Sequence, residues 1–194
     1  GGNSVTENVS TGTAGTFTYT LISVSDSSTT RCSQLQTGSA VVTVNPSTEK
    51  PIFTAGATTR CQGAADATYT ATSVNSTVIT YSVSPATAGT IGASTGVMNW
   101  SATFSGTATI TAEAGGLCGK IQQTREVTVN PNTAITTQPT NPSAVCAGSA
   151  IGSMTVAASG TGNITYQWYS NTTNSTTGGI ALTNAKSASY TPTN

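Results

Sequence analysis

The sequence predicts an all-β protein built from tandem β-sandwich modules, and three observations carry that prediction. Charged residues make up only 6% of the 194-residue chain, while Thr, Ser and 20 Gly dominate and 36% is hydrophobic. Globular chains carry about 25% charged residues, but zero formal net charge with this apolar share does not fit the signature of disorder. Second, the β-formers Thr, Val, Ile and Tyr recur in short runs with period-two alternation, and Ala-Glu-Lys-Leu helical patterns are missing. Third, a five-residue string repeats in register with the cysteines around it.

That string is Val42-Thr43-Val44-Asn45-Pro46, which returns 85 residues later as Val127-Thr128-Val129-Asn130-Pro131. Self-similarity at a fixed period marks a repeat architecture, and the period suits a seven-stranded sandwich module. Cys61 and Cys146 each follow the string's Pro by 15 residues; Cys32 precedes Val42 by 10 and Cys118 precedes Val127 by 9. Residues 1–46 therefore read as the C-terminal part of one β-sandwich module. Residues 47–131 read as a complete module, and residues 132–194 as the N-terminal part of a third. Pro46, Pro51, Pro131, Pro139 and Pro142 stiffen the junctions and end the preceding strands. A lone strand pair cannot bury a core, so the partial modules are expected to need further chain on either side.

Seven strands are expected in the complete module, near 52–57, 67–74, 78–84, 90–93, 97–101, 106–113 and 121–130, separated by Gly, Pro, Asn or Ser turns. Ile79, Tyr81 and Val83 share one face by alternation, as do Ala108, Ile110 and Ala112. In the third module Ile164, Tyr166 and Trp168 alternate with polar neighbours, which predicts that Trp168 faces the core as the buried strand-C Trp of an immunoglobulin-like sandwich. Gly178-Gly179-Ile180 and Ala188-Ser189-Tyr190 then belong to later strands. In the first module Gly15-Thr16-Phe17-Thr18-Tyr19 reads as the start of strand F, with Tyr19 a candidate tyrosine corner whose counterpart in the middle module is Ile110.

The four regularly spaced cysteines, Cys32, Cys61, Cys118 and Cys146, are candidates for structural disulfides in an oxidising compartment. A zinc site is disfavoured because there is no C-x-x-C and no His. Two pairings stay open. One bonds Cys61 to Cys118 within the middle module. The other follows from alternating strand directions, which put Cys61 at the A–B turn and Cys118 at the F–G loop, at opposite ends of the sandwich. In a head-to-tail array each would then bridge to a neighbouring module.

Chemistry is hard to find. Without His the usual Ser-His and Cys-His arrangements are gone. Glu7, Asp26, Glu49, Asp66, Glu113 and Glu126 are dispersed one at a time, so a glycosidase pair is disfavoured. Glu126 is expected to lie near Arg125 on a solvated face, and Glu49 beside Lys50 is too little acid for a calcium cage. Gly115-Gly116 and Gly178-Gly179 lack the P-loop Lys-Ser/Thr and read as turns. Sequons at Asn8, Asn75, Asn99, Asn163, Asn171 and Asn174 are what so Asn/Ser/Thr-rich a chain produces by chance. No enzymatic activity, cofactor or metal is expected. Six scattered basic residues cannot build a nucleic-acid or polybasic membrane surface, and no apolar run approaches the roughly 20 residues of a membrane span.

Residues 59–131 resemble the PKD-like repeats of giant Bacteroidota surface proteins. The resemblance lies in Thr-Thr-Arg-Cys-Gln-Gly, Tyr-Ser-Val-Ser-Pro-Ala-Thr-Ala-Gly-Thr-Ile, Thr-Gly-Val-Met-Asn-Trp, Phe-Ser-Gly-Thr-Ala-Thr-Ile-Thr-Ala and Val-Thr-Val-Asn-Pro. Residues 135–194 resemble the Ig-like repeats that accompany them, through Thr-Gln-Pro, Val-Cys-Ala-Gly, Tyr-Gln-Trp-Tyr and Ser-Tyr-Thr-Pro-Thr. The resemblance implies a segment of a very long extracellular adhesin, exported by the type IX secretion system and used in surface attachment or gliding motility. Its partners would be neighbouring repeats and, through other regions, the secretion and motility machinery, with surface polysaccharide as an adhesive target. The repeats form the shaft, and no catalytic or binding residue comes with them. The competing reading is an accessory or carbohydrate-binding module of a secreted enzyme. Exposed rings at Tyr169 or Trp100 would favour it, and buried rings would favour the stalk.

Overall fold

The structure is a computed structural model that describes residue 4 and residues 6–193. It is almost entirely β: the one helical element among the described residues is a single 3-10 turn, Ala86–Ala88. The middle module closes two sheets on each other. One sheet orders Thr59–Cys61, Gly119–Asn130, Gly106–Gly116 and Val78–Ser84. The facing layer orders Gly89–Ile91, Val97–Trp100 and Ala67–Thr68; after Tyr69 the chain continues as Thr70–Thr72, which pairs with Ile52–Ala55.

Period-two alternation builds the core between them. Ala108, Ile110, Ala112 and Ala114 point inward from one strand and are fully buried, as is Val127 on the next, with Val129 nearly so. Tyr69, Met98 and Trp100 meet them from the facing layer, and Phe53, Ala67, Val83, Ile91 and Phe104 close the rim. Each fully buried Ile, Val or Met side chain stabilises the fold by about 1.5–3 kcal/mol. Tyr69 and Trp100 add an edge-to-face contact at 6.4 Å between centroids. Gly96 lets the chain pass this aromatic centre. It sits at φ +67°, and a Cβ there would lie 2.0 Å from the Tyr69 carbonyl oxygen.

The seven expected strands all occur, the second broken at Tyr69 into Ala67–Thr68 and Thr70–Thr72, and two further differences stand out. The sixth and seventh run on to Gly116 and from Gly119, joined only by Leu117-Cys118. Gly115 and Gly116 are therefore strand residues rather than a turn. Gly116 is needed for close approach, since a Cβ there would meet Thr48 Oγ1 at 2.3 Å and the Asn75 carbonyl at 2.5 Å. The second difference is an unexpected strand, Thr59–Cys61, which pairs in parallel with Thr128–Asn130. The first strand thus divides between the layers: Ile52–Ala55 joins one, and Thr59–Cys61 joins the other.

The flanking segments pair locally. Gly15–Thr20 lies antiparallel to Ser39–Val44, and Ser23–Ser25 antiparallel to Ser33–Leu35. Tyr19, expected as a core marker, is 42% exposed. Among the described residues no second sheet covers this hairpin, so its ring has nothing to be buried against. In the third segment Ala134–Thr137 pairs with Ala157–Ser159, Met154–Thr155 with Ser189–Tyr190, and Tyr169–Ser170 with Ile180–Ala181. The last two pairs contain the later strands expected there. Trp168 lies just outside a strand and is only half-buried. It stacks on Tyr190 at 5.9 Å, and its Nε1 donates to the Ser187 carbonyl at 2.9 Å. A buried strand-C Trp is therefore not what residues 164–168 form: Ile164, Tyr166 and Trp168 remain part-exposed and outside any strand, and Gln167 between them is as buried as they are.

Candidate functional site

The chemistry of this molecule concentrates at the two ends of the middle module, where the chain enters and leaves it. At the entering end residues 45–49 are fastened to two turns. Glu49 N donates to the Val74 carbonyl at 3.0 Å. Ser73 Oγ donates to the Glu49 carbonyl. Asn75 Nδ2 donates to the Ser47 carbonyl at 3.0 Å, and Thr48 Oγ1 to the Gly119 carbonyl at 3.3 Å. Cys118, in the two-residue turn between the long strands, places its Sγ 3.4 Å from the Asn45 carbonyl oxygen. At the leaving end Gln62 performs the same service. Its backbone N donates to the Asn130 carbonyl at 2.8 Å, its Nε2 donates to the Thr103 carbonyl at 2.7 Å, and its Oε1 accepts from Asn132 N at 3.1 Å.

Two arginines brace the divided first strand. Arg125 donates through Nη1 to the carbonyls of Ala55 at 3.2 Å and Gly56 at 2.5 Å, and through Nη2 to Phe53 at 3.4 Å. Its guanidinium lies 4.7 Å from the Phe53 ring centroid. Arg125 therefore does not lie with Glu126 on a solvated face as expected. It shares the inward face of Val127 and Val129, where it donates to carbonyls at the point where the first strand leaves its sheet. Arg60 lies over the Trp100 ring at 4.6 Å and donates to the carbonyls of Ala64 and Ala65. The period-two pattern contained the signal for Arg125; nothing in the sequence pointed to Arg60.

The four cysteines are exposed, with free thiols. Cys61 is opposite Asn130 in the parallel ladder, whereas Cys118 precedes Gly119. The 12-residue strand between these positions spans roughly 40 Å at about 3.3 Å per residue. Bridged Cα atoms lie within about 7 Å, so a Cys61–Cys118 bond inside the module is sterically excluded. Cys32 lies at the tip of the first hairpin, its N–H donating to Asp26 Oδ1 at 3.0 Å, and Cys146 lies in a turn whose carbonyl accepts from Ser149 N.

Two of the acids, Glu113 and Asp26, accept side-chain hydrogen bonds, each at its own place in the chain. Glu113 accepts from Lys120 Nζ and from Gln122 Nε2, both at 2.6 Å, and these donors hold its carboxyl below the usual range. Asp26 is lowered chiefly by the hydroxyl of Ser28. Burial pushes the Tyr69 phenol up, and its hydroxyl donates to the Ala57 carbonyl at 3.2 Å. Among the described residues no three His, Cys, Asp or Glu gather as metal ligands, and no helix is long and apolar enough to cross a membrane.

Of the two rings that bear on carbohydrate binding, Trp100 is 8% exposed and belongs to the core, whereas Tyr169 is 62% exposed. Tyr169 borders a hollow of about 420 Å³ shared with Asn171, Ser175 and Gly179. A larger hollow, of about 710 Å³, lies on the open face of the first hairpin beside Val9, Tyr19 and Leu21. No family model, curated protein or solved structure matches the chain.

Proposed function

We propose that the chain is a structural stalk segment of a long secreted adhesin, held at the cell surface and serving attachment or gliding motility, and that it is not an enzyme. The observation that carries this reading is the placement of the junctions. The middle module receives the chain at its Leu117-Cys118 turn and releases it beside Cys61, at opposite ends of its longest strand, and hydrogen bonds fasten the linker at each end. Modules joined this way extend an array by about one strand length each. The strand partition of the middle module supports an immunoglobulin-like sandwich, and the low charge suits a shaft without a charged recognition surface. The Bacteroidota resemblance supplies the type IX export route. The accessory carbohydrate-binding reading draws on a single exposed ring, Tyr169.

The middle module closes its own core, so tandems of two, four and six copies of residues 47–131 can be compared by small-angle scattering. The maximum dimension should grow by roughly 40 Å per module, the length of the long strand. Growth only as the cube root of mass would overturn the stalk reading. Antibody raised against the same residues should label intact cells, and labelling confined to lysed cells would overturn the surface location.

A further inference from the structure

We propose that the Cys61 and Cys118 positions are the two halves of a disulfide between successive modules, the Cys61 position of one bonded to the Cys118 position of the next. The inference rests on the tandem reading above and on two contacts made to equivalent carbonyls. Asn45 and Asn130 are the same residue of the repeat, each ending a Val-Thr-Val-Asn-Pro string. Asn130 has Cys61 as its cross-strand partner, and its carbonyl oxygen accepts from the N–H of the next residue, Gln62, at 2.8 Å. The Asn45 carbonyl oxygen has the Cys118 thiol 3.4 Å away.

Superposing the two frames puts both contacts on one oxygen. In a module that ends at Asn45, the cysteine equivalent to Cys61 would flank that Asn, with the following N–H on the same carbonyl that Cys118 touches. The Cys61 equivalent then lies one strand spacing, about 4.8 Å, from that Asn, and the Cys118 thiol touches the same Asn. Both cysteines thus gather at one residue, the proximity that a bridge with Cα atoms within about 7 Å needs. Both positions are exposed, which leaves them open to an oxidant. Cys32, at a hairpin tip, is of the Cys118 class, and Cys146 is of the Cys61 class. No two of the four are neighbours in this frame, in keeping with four free thiols. Closure is thiol–disulfide exchange with an oxidised dithiol: one S–S bond forms, the donor's S–S bond breaks, and the two thiol protons and two electrons leave on the reduced donor.

A tandem of two copies of residues 47–131 recreates the junction, because Pro131 is then followed by Ser47 just as Pro46 is in this chain. Three versions, each keeping two cysteines and carrying Ser at the others, are treated with glutathione disulfide and their free thiols counted. The version keeping Cys61 of the first copy and Cys118 of the second should form an intramolecular bond and lose both thiols. The version keeping Cys118 of the first copy and Cys61 of the second should not, nor should one keeping both cysteines of the first copy. Two reactive thiols in the first version, or a monomeric bond in either other, would overturn the proposal. Equal melting temperatures of the reduced forms verify that all three fold. Scattering reports extension and the thiol count reports the staple, so either idea can fail without the other.

Discussion

The first segment and the middle module contain the same hairpin in two settings. Gly15 faces Val44 in one and Gly106 faces Val129 in the other, so Tyr19 and Ile110 occupy one position of the ladder, opposite Ala40 and Arg125. Yet Tyr19 is 42% exposed and Ile110 is fully buried. Ladder pairing is evidently a local property of these sequences. Burial is not: it arrives only where Tyr69, Met98 and Trp100 come from a second layer. Strand identity and core membership are separate facts, decided at different ranges of sequence separation.

The comparison breaks most directly at that shared position. Ile110→Ala should cost about 2–5 kcal/mol, a buried aliphatic lost together with the cavity left behind, whereas Tyr19→Ala should stay within about 0.5 kcal/mol, as a surface change does. Urea denaturation of the two variants measures this, and equal losses would mean that the first hairpin has a covering layer after all. The residues opposite come next. Arg125→Ala gives the middle hairpin the small residue its counterpart has at Ala40, and strands the carbonyls of Phe53, Ala55 and Gly56. A loss of about 1–3 kcal/mol is expected, with faster amide exchange across Ile52–Ala55 and its partner Thr70–Thr72. Ala40→Arg should change neither.

The smallest effect lies toward the hairpin tips. Glu113 is held across the ladder by Lys120 and Gln122, whereas Asp26 is held within its own loop by Ser28 and Cys32. The Glu113 carboxyl has a lower pKa folded than unfolded. Its stabilisation is therefore present above the unfolded value near 4.3 and fades as pH falls through the folded value. Melting temperatures of the parent and Glu113→Gln should differ slightly at pH 7, less in high salt, and converge toward pH 3. A gap that persists in acid would show that the pairing does not act through charge.

Much of the middle module was legible because alternation is strong where a strand has one buried face: Ala108 through Ala114 and Val127 with Val129 announce their direction without help. The Thr59–Cys61 strand was not, because three residues around an Arg carry no period and parallel pairing with residues nearly 70 positions away leaves no local trace. Arg125 was misread by charge, when its place two residues before Val127 already turned it inward. Trp168 and Tyr19 show the opposite failure. Their patterns are those of core residues, but a pattern states only which side a residue faces, and the layer that would cover that side must come from elsewhere. The separation of Cys61 from Cys118 followed from strand direction alone, and the added Thr59–Cys61 strand widens it.

That short parallel strand has a mechanical consequence. If the proposed stalk carries tension, it would be pulled from Ser47 at one end of the module and from Pro131 at the other. The strand Thr59–Cys61 runs in the same direction as Thr128–Asn130, so pulling slides the two past each other along their length. Their bonds are then strained together in shear, whereas an antiparallel hairpin pulled at its open end unzips one bond at a time. The tether that ties the first strand to the last would then bear such a load on all its bonds at once.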